Sequence, residues 1–111
     1  MKTRPDIQDY LEHNYPNDMD KILLADGFED AFMGVENYTP LKALYDACKC
    51  INILMERDGM DEGEALEFFE FNVAGAYVGK HTPEFVDPHH QSWLEYNEGD
   101  VNLYSDWAGE E

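Results

Sequence analysis

The spacing of apolar positions changes period several times along this chain, and the changes predict its elements. In residues 5–14, "PDIQDYLEHN", Ile7 and Leu11 stand four apart with Tyr10 beside them and Pro5 at a first helical position, which predicts a short N-terminal helix. Ile22 to Ala25 is a continuous apolar run ending in "DGFED". Ala31 to Val35 resumes it before the turn-forming "ENYTP", so Leu41 to Tyr45 reads as the returning strand of a hairpin. A helix over 40–57 competes for the same residues, with Thr39 as N-cap, Pro40 as first residue, and Leu41, Leu44, Cys48, Ile51 and Met55 at helical spacing. Both readings make Ala47 to Arg57 helical, with Ala47, Cys48, Ile51, Leu54 and Met55 on one face. In the hairpin version Asp46 is the N-cap, and Gly59 suits the position just past the end.

A second helix starts at Asp61, whose partner in a capping box is Glu64. At about 100° per residue, Ala65, Leu66, Phe69, Val73, Ala76 and Tyr77 share one stripe, the expected core face. Phe68, Phe71, Asn72, Gly75 and Gly79 form a second side, and Glu67 and Glu70 fill the gap between. A second apolar side needs a cover: the hairpin, the N-terminal helix, the aromatic residues after 87, or another chain. Gly75 and Gly79 each lower helix propensity by about 1 kcal/mol relative to Ala, which fits a neighbouring backbone close by or, for Gly79, a helix end. Asn72 is placed to cap the following loop or to hold "KHTP". Two prolines in "TPEFVDPHH" end regular structure, with Glu84 to Val86 as a short edge strand. Residues 87–111 are acidic, aromatic and free of Lys and Arg. They form an extension that docks through Trp93, Leu94, Tyr96, Tyr104 and Trp107 or waits for a partner.

Charge changes the picture more than composition does. The 111 residues hold 25 Asp and Glu against 7 Lys and Arg, a formal −18. Fourteen of the acids and one base, Lys80, fall after residue 57. Such a field repels nucleic acid and anionic membranes and attracts basic proteins. The abundance of aromatic residues argues for a folded unit rather than a disordered acidic chain. Paired carboxylates are too many to mark a site, and Glu64, Glu67 and Glu70 read first as a solvated ridge. His81, His89 and His90 are the weak metal candidates; they lack the spacings of a metal motif, and no metal or other cofactor is expected. Cys48 and Cys50 point to nearly opposite sides of a helix and should not bridge, with Cys48 on the apolar face and Cys50 at its margin. With no signal-peptide core and no apolar run of spanning length, a reduced, cytoplasmic protein is expected.

Three stretches, "ILLADGFEDAFMGV", "LYDACKCINILMERDGM" and "EALEFFEFNVAGAYVGKHTPEFV", resemble a group of small acidic proteins of unknown function encoded by tailed bacteriophages and prophages. The match spans residues 22–86. It falls on Gly27, Phe28, Asp30, Gly34, Tyr45, Glu70, Phe71, Asn72, Gly75, Gly79, Thr82 and Pro83, and the segment matching Leu41 to Tyr45 is often β-branched in the group, which favours the hairpin. The resemblance implies a phage setting, host cytosol included, and supplies no catalytic residue. Gly34, Asn72, Gly75, Gly79 and Pro83 read as folding constraints. The expected architecture is a single α+β domain over 1–86, with an N-terminal helix, a β-hairpin and two packed antiparallel helices, followed by the 87–111 extension. The expected function is a non-enzymatic accessory protein that binds, and inhibits or redirects, a basic nucleic-acid-handling or defence protein, with a carboxylate ridge able to mimic a nucleic-acid backbone. Glu64, Glu67, Phe68, Glu70, Phe71, Trp93 and Trp107 are its partner-binding candidates. The alternatives are an oligomeric assembly protein, a homodimer through the Phe68, Phe71 and Gly75 side, and a small metal-dependent enzyme.

Overall fold

The computed structural model describes residues 2–37, 40–88 and 101–108, without the side chains of Asp106 and Ala108. Helix α1 spans Arg4–Asn14 and buries Ile7, Tyr10 and Leu11. Its start is a capping box: the Thr3 hydroxyl accepts the Asp6 N–H at 3.3 Å and the Asp6 carboxylate accepts the Thr3 N–H at 3.0 Å, so Pro5 stands second in the helix, one place later than expected. A 3₁₀ turn, Glu29–Ala31, leads into β1, Phe32–Glu36, which pairs antiparallel with β2, Lys42–Asp46. The hairpin therefore forms, and the helix over 40–57 does not. Helix α2 begins only at Ala47, where the Asp46 carboxylate accepts the Lys49 N–H at 3.1 Å, and runs to Asp58 before Gly59 closes it at φ 72°. Ala43, Leu44 and Tyr45 are all fully buried in succession, which happens to a strand covered on both faces and erases the alternation that identifies strands.

Helix α3, Glu62–Phe68, comes next and continues as a π-helical stretch, Phe69–Ala74. The chain then enters β3, Glu84–Val86, which lies parallel to β2 in the register Leu44 with Glu84, Tyr45 with Phe85 and Asp46 with Val86. Parallel neighbours need a long crossover, and α2 and α3 provide it. The sheet order is β3-β2-β1-β4, so β3 is an edge strand as the two prolines suggested. The other edge, β4 at Val101–Leu103, pairs antiparallel with β1 and passes directly into the short helix α4, Tyr104–Ala108. A four-stranded mixed sheet thus extends the expected hairpin and edge strand, because residues from the aromatic extension supply a further strand. Gly34 makes this possible. Its φ is +155°, and a Cβ there would lie 2.2 Å from the Asn102 carbonyl oxygen, so no side chain fits where β1 meets β4.

The core is a continuous run of rings that joins every layer. Trp107 of α4 packs on Tyr10 of α1 at 5.7 Å between ring centroids, Tyr10 on Phe32 at 5.6 Å, and Phe32 on Tyr45 at 5.6 Å. Tyr45 then meets Phe85 at 5.5 Å, and Phe85 meets Phe69 at 5.3 Å. Most of these contacts are edge-to-face, the arrangement that ring quadrupoles favour. Polar ends are satisfied too: the Tyr10 hydroxyl donates to the Asn102 carbonyl, and the Tyr45 hydroxyl accepts the Ala25 N–H at 2.8 Å.

On α2 the buried arc differs from the expected one. Cys50 and Leu54 are fully buried while Cys48 is exposed, the reverse of the placement expected from helical spacing. The inward direction is rotated by roughly 80°. Ile53, Ile51, Met55 and Ala47 are all partly buried around it, so the apolar arc of this helix is wide and leaves its centre undetermined. Both thiols are free, as their spacing implied.

Candidate functional site

Helix α3 is fixed at its start by the expected capping box: the Asp61 carboxylate accepts the Glu64 N–H at 2.8 Å, and the Glu64 carboxylate accepts the Asp61 N–H at 3.1 Å. Its attachment to the domain is narrow. Ala65 and Phe69 are buried and Val73 packs at the core margin, whereas Leu66, Ala76 and Tyr77, expected in the core, are exposed. Two local events explain Ala76 and Tyr77, though neither reaches back to Leu66, which lies in α3 before the π turn. The wider π turn shifts the angular phase of the residues after it, and the helix ends at Ala74, so Ala76 and Tyr77 never belong to it. A Cβ on Gly75 would lie 2.6 Å from the Glu70 carbonyl oxygen, so the close approach there is to the helix's own backbone and not to a neighbour. Gly79, at φ +124°, sits in the turn beyond. Thr82 holds that turn, taking the Val78 N–H at 2.9 Å and donating to the Gly79 carbonyl at 2.5 Å, a task the sequence suggested for Asn72. Pro83 then leads into β3. Gly75 and Gly79 therefore do not share a side with Phe68 and Phe71.

The rest of the second side is a surface. Among the described residues the exposed large hydrophobic side chains are Leu66, Phe68, Phe71, Tyr77 and Val78, all from one stretch of the chain, with Phe71 73% and Phe68 39% exposed. Glu62, Glu64, Glu67 and Glu70 are exposed among them. The ion pairs among the described residues join Arg4 to Asp26, Lys21 to Asp18 and Arg57 to Asp58, and none reaches these glutamates. Glu64, Glu67, Phe68, Phe71 and Asn72 follow helical i, i+3, i+4, i+7 and i+8 spacing and, with Met60, line an open groove of about 410 Å³. Met60 is the member that sequence reasoning missed; its place immediately before the capping box, opposite the first turn of α3, was the available signal.

The other described candidates do not line this groove. Trp107 belongs to the aromatic run, against Tyr10 and Tyr104. Trp93, His89 and His90 lie outside the described residues. His81 donates from Nδ1 to the Leu41 carbonyl at 2.7 Å, a bond that ties the loop before β3 to the start of β2. Among the described residues no three His, Cys, Asp or Glu side chains converge as metal ligands.

A second cleft, of about 860 Å³, is lined by both signs of charge, including Lys2, Lys49, Asp6, Asp30 and Glu56. Two of its carboxylates serve the fold. Asp30 accepts the Lys2 N–H at 2.8 Å, and the Thr3 hydrogen bonds of the capping box hold Asp6 below the usual carboxylate range. The thiols are held protonated: burial pushes Cys50 up to about 12, and desolvation together with Asp87 and Asp46 raises Cys48, which is the opposite of an activated nucleophile.

No helix among the described residues is long and apolar enough to cross a membrane. No protein family, no curated protein and no solved structure matches the chain.

Proposed function

We propose that this is a non-enzymatic binding protein that captures a basic protein partner on the surface built by Met60, α3 and the π turn, and by occupying that partner inhibits or redirects it. The observation that carries the reading is the interleaving of exposed Phe68 and Phe71 with exposed glutamates that no described base neutralises. Exposed aromatics supply desolvation energy at the centre of an interface, and the surrounding carboxylates select partners by charge and speed their arrival. The formal −18 extends that field over the whole molecule. A second copy of the chain is the weaker occupant, since two such faces would bring like-charged glutamate ridges together. The resemblance to small phage-encoded proteins supplies the setting in which a nucleic-acid-handling or defence protein is the natural target.

The test is retention of purified basic and acidic proteins of matched size by the immobilised chain, at low and at high salt, with Phe71→Asp as control. Salt-sensitive retention of basic proteins that is lost in the variant supports the reading. It is overturned if nothing basic is held at low salt, or if the protein is a stable dimer that Phe71→Asp dissociates.

A further inference from the structure

We infer that the groove formed by Met60, Glu64, Glu67, Phe68, Phe71 and Asn72 receives an arginine side chain of the partner. This rests on the proposal that the surface takes a basic protein, and it goes further by naming the group that anchors it.

The lining divides into two chemistries. Met60, Phe68 and Phe71 give an apolar, polarisable floor, whereas Glu64 and Glu67 stand one turn towards the helix start with carboxylates that no described base neutralises. A cationic group entering here has to lie on rings while donating to carboxylates. An ammonium is a strongly hydrated point charge and loses much of its hydration on such a floor. A guanidinium is planar and weakly hydrated, stacks on aromatic faces and donates in its own plane, so it satisfies both halves of the groove together. Asn72 adds a carbonyl acceptor at the far end of the same ridge. The groove is open, and its lining residues follow the helix from Glu64 to Asn72, which suits entry from an extended basic segment.

The molecule contains an internal example of the same arrangement. The Arg57 guanidinium lies over the Phe28 ring at 5.4 Å from its centroid, while it donates to the Asp58 carboxylate at 3.0 Å and to the Gly27 carbonyl at 2.9 Å. Ring below and oxygens at the edge are the elements that the α3 groove offers without a cation among the described residues.

Two synthetic peptides of equal length and charge, one with arginine and one with lysine at the same positions of a glycine backbone, test this by titration at low ionic strength. The arginine peptide should bind about three- to five-fold more tightly, the size of a partly exposed cation–ring contact. Phe71→Ala should abolish that preference, and Glu67→Gln should weaken both peptides. Both positions are exposed, and Glu67, unlike Glu64, takes no part in the capping box, so the variants keep the fold, which circular dichroism checks. Equal binding of the two peptides by the unaltered protein, or a preference that survives Phe71→Ala, overturns the arginine groove while leaving the basic-partner reading standing. Binding of neither peptide overturns both.

Discussion

The inner and outer sides of the segment where α3 passes into the π turn use aromatic side chains in opposite ways. Phe69 closes a run of rings that passes through β3, β2, β1, α1 and α4, each ring set edge-on or tilted against the next. Phe68 and Phe71, one residue before it and two after, face outward beside glutamates. The residue type is the same, and position alone decides between cohesion and display. The core run couples distant segments, so its rings owe their burial to one another. The display segment hangs on Ala65 and Phe69, so its outer rings add little to folding and are available for contact.

Removing a ring from the run should therefore cost most. Phe32 sits between Tyr10 and Tyr45 and is 2% exposed, and Phe32→Ala is expected to lower stability by about 3–5 kcal/mol, read from denaturant midpoints at constant slope. A loss below about 1 kcal/mol would mean that the run is not the organising core.

The packed region also makes a pH prediction. Burial pushes the Cys50 thiol up to about 12, whereas a thiol in the unfolded chain titrates near 8.5. The folded value is raised, so the unfolded state loses its proton first as pH rises. The contribution of Cys50 is complete below about pH 8.5 and is lost as pH climbs towards about 12, with a slope of at most about 1.4 kcal/mol per pH unit. Cys50→Ala should remove that share of the alkaline slope, measured by chemical denaturation between about pH 9 and 11, while the exposed Cys48→Ala should remove less. Identical slopes in all three proteins would contradict the placement of Cys50.

Legibility in the sequence divides along the same line. Local chemistry was legible: Asp46 and Asp61 as helix starts, Gly59 as a helix end, and the pairing of β1 with the next strand all depend on neighbours in the chain. Long-range placement was not. Nothing near Val101 marks it as a partner for β1, and Cys50 takes the inward place expected for Cys48 because of how α2 meets the rest of the core. The groove was half legible. Angular spacing set Phe68, Phe71 and Asn72 together, but extending an ideal helix to residue 79 added Gly75 and Gly79 wrongly. Asn72 and Val73, both poor helix formers, ahead of Gly75 were the signal that the helix stops early.

In the display region the expected effects are smaller. Asp61→Ala removes a side-chain cap and should cost about 1 kcal/mol, felt first by the helix it starts. Amide exchange of residues 64–73 should quicken more than that of β1 and β2. Uniform quickening would show that α3 unfolds only with the sheet and that the two regions are one cooperative unit.

The smallest expected effect on stability is the sharpest test of the comparison. Phe71 is 73% exposed, so Phe71→Ala deletes a ring that water already surrounds, and the folded and unfolded states should lose nearly equal contact. The change should stay within about 0.5 kcal/mol, as for a surface substitution, although the same truncation at Phe32 is expected to cost several times more. Measured side by side, the two variants separate rings that hold the fold from rings that are held out by it. A Phe71→Ala loss comparable to that of Phe32→Ala would mean that Phe71 is covered in solution, and the surface assigned to a partner would then belong to the folded chain itself.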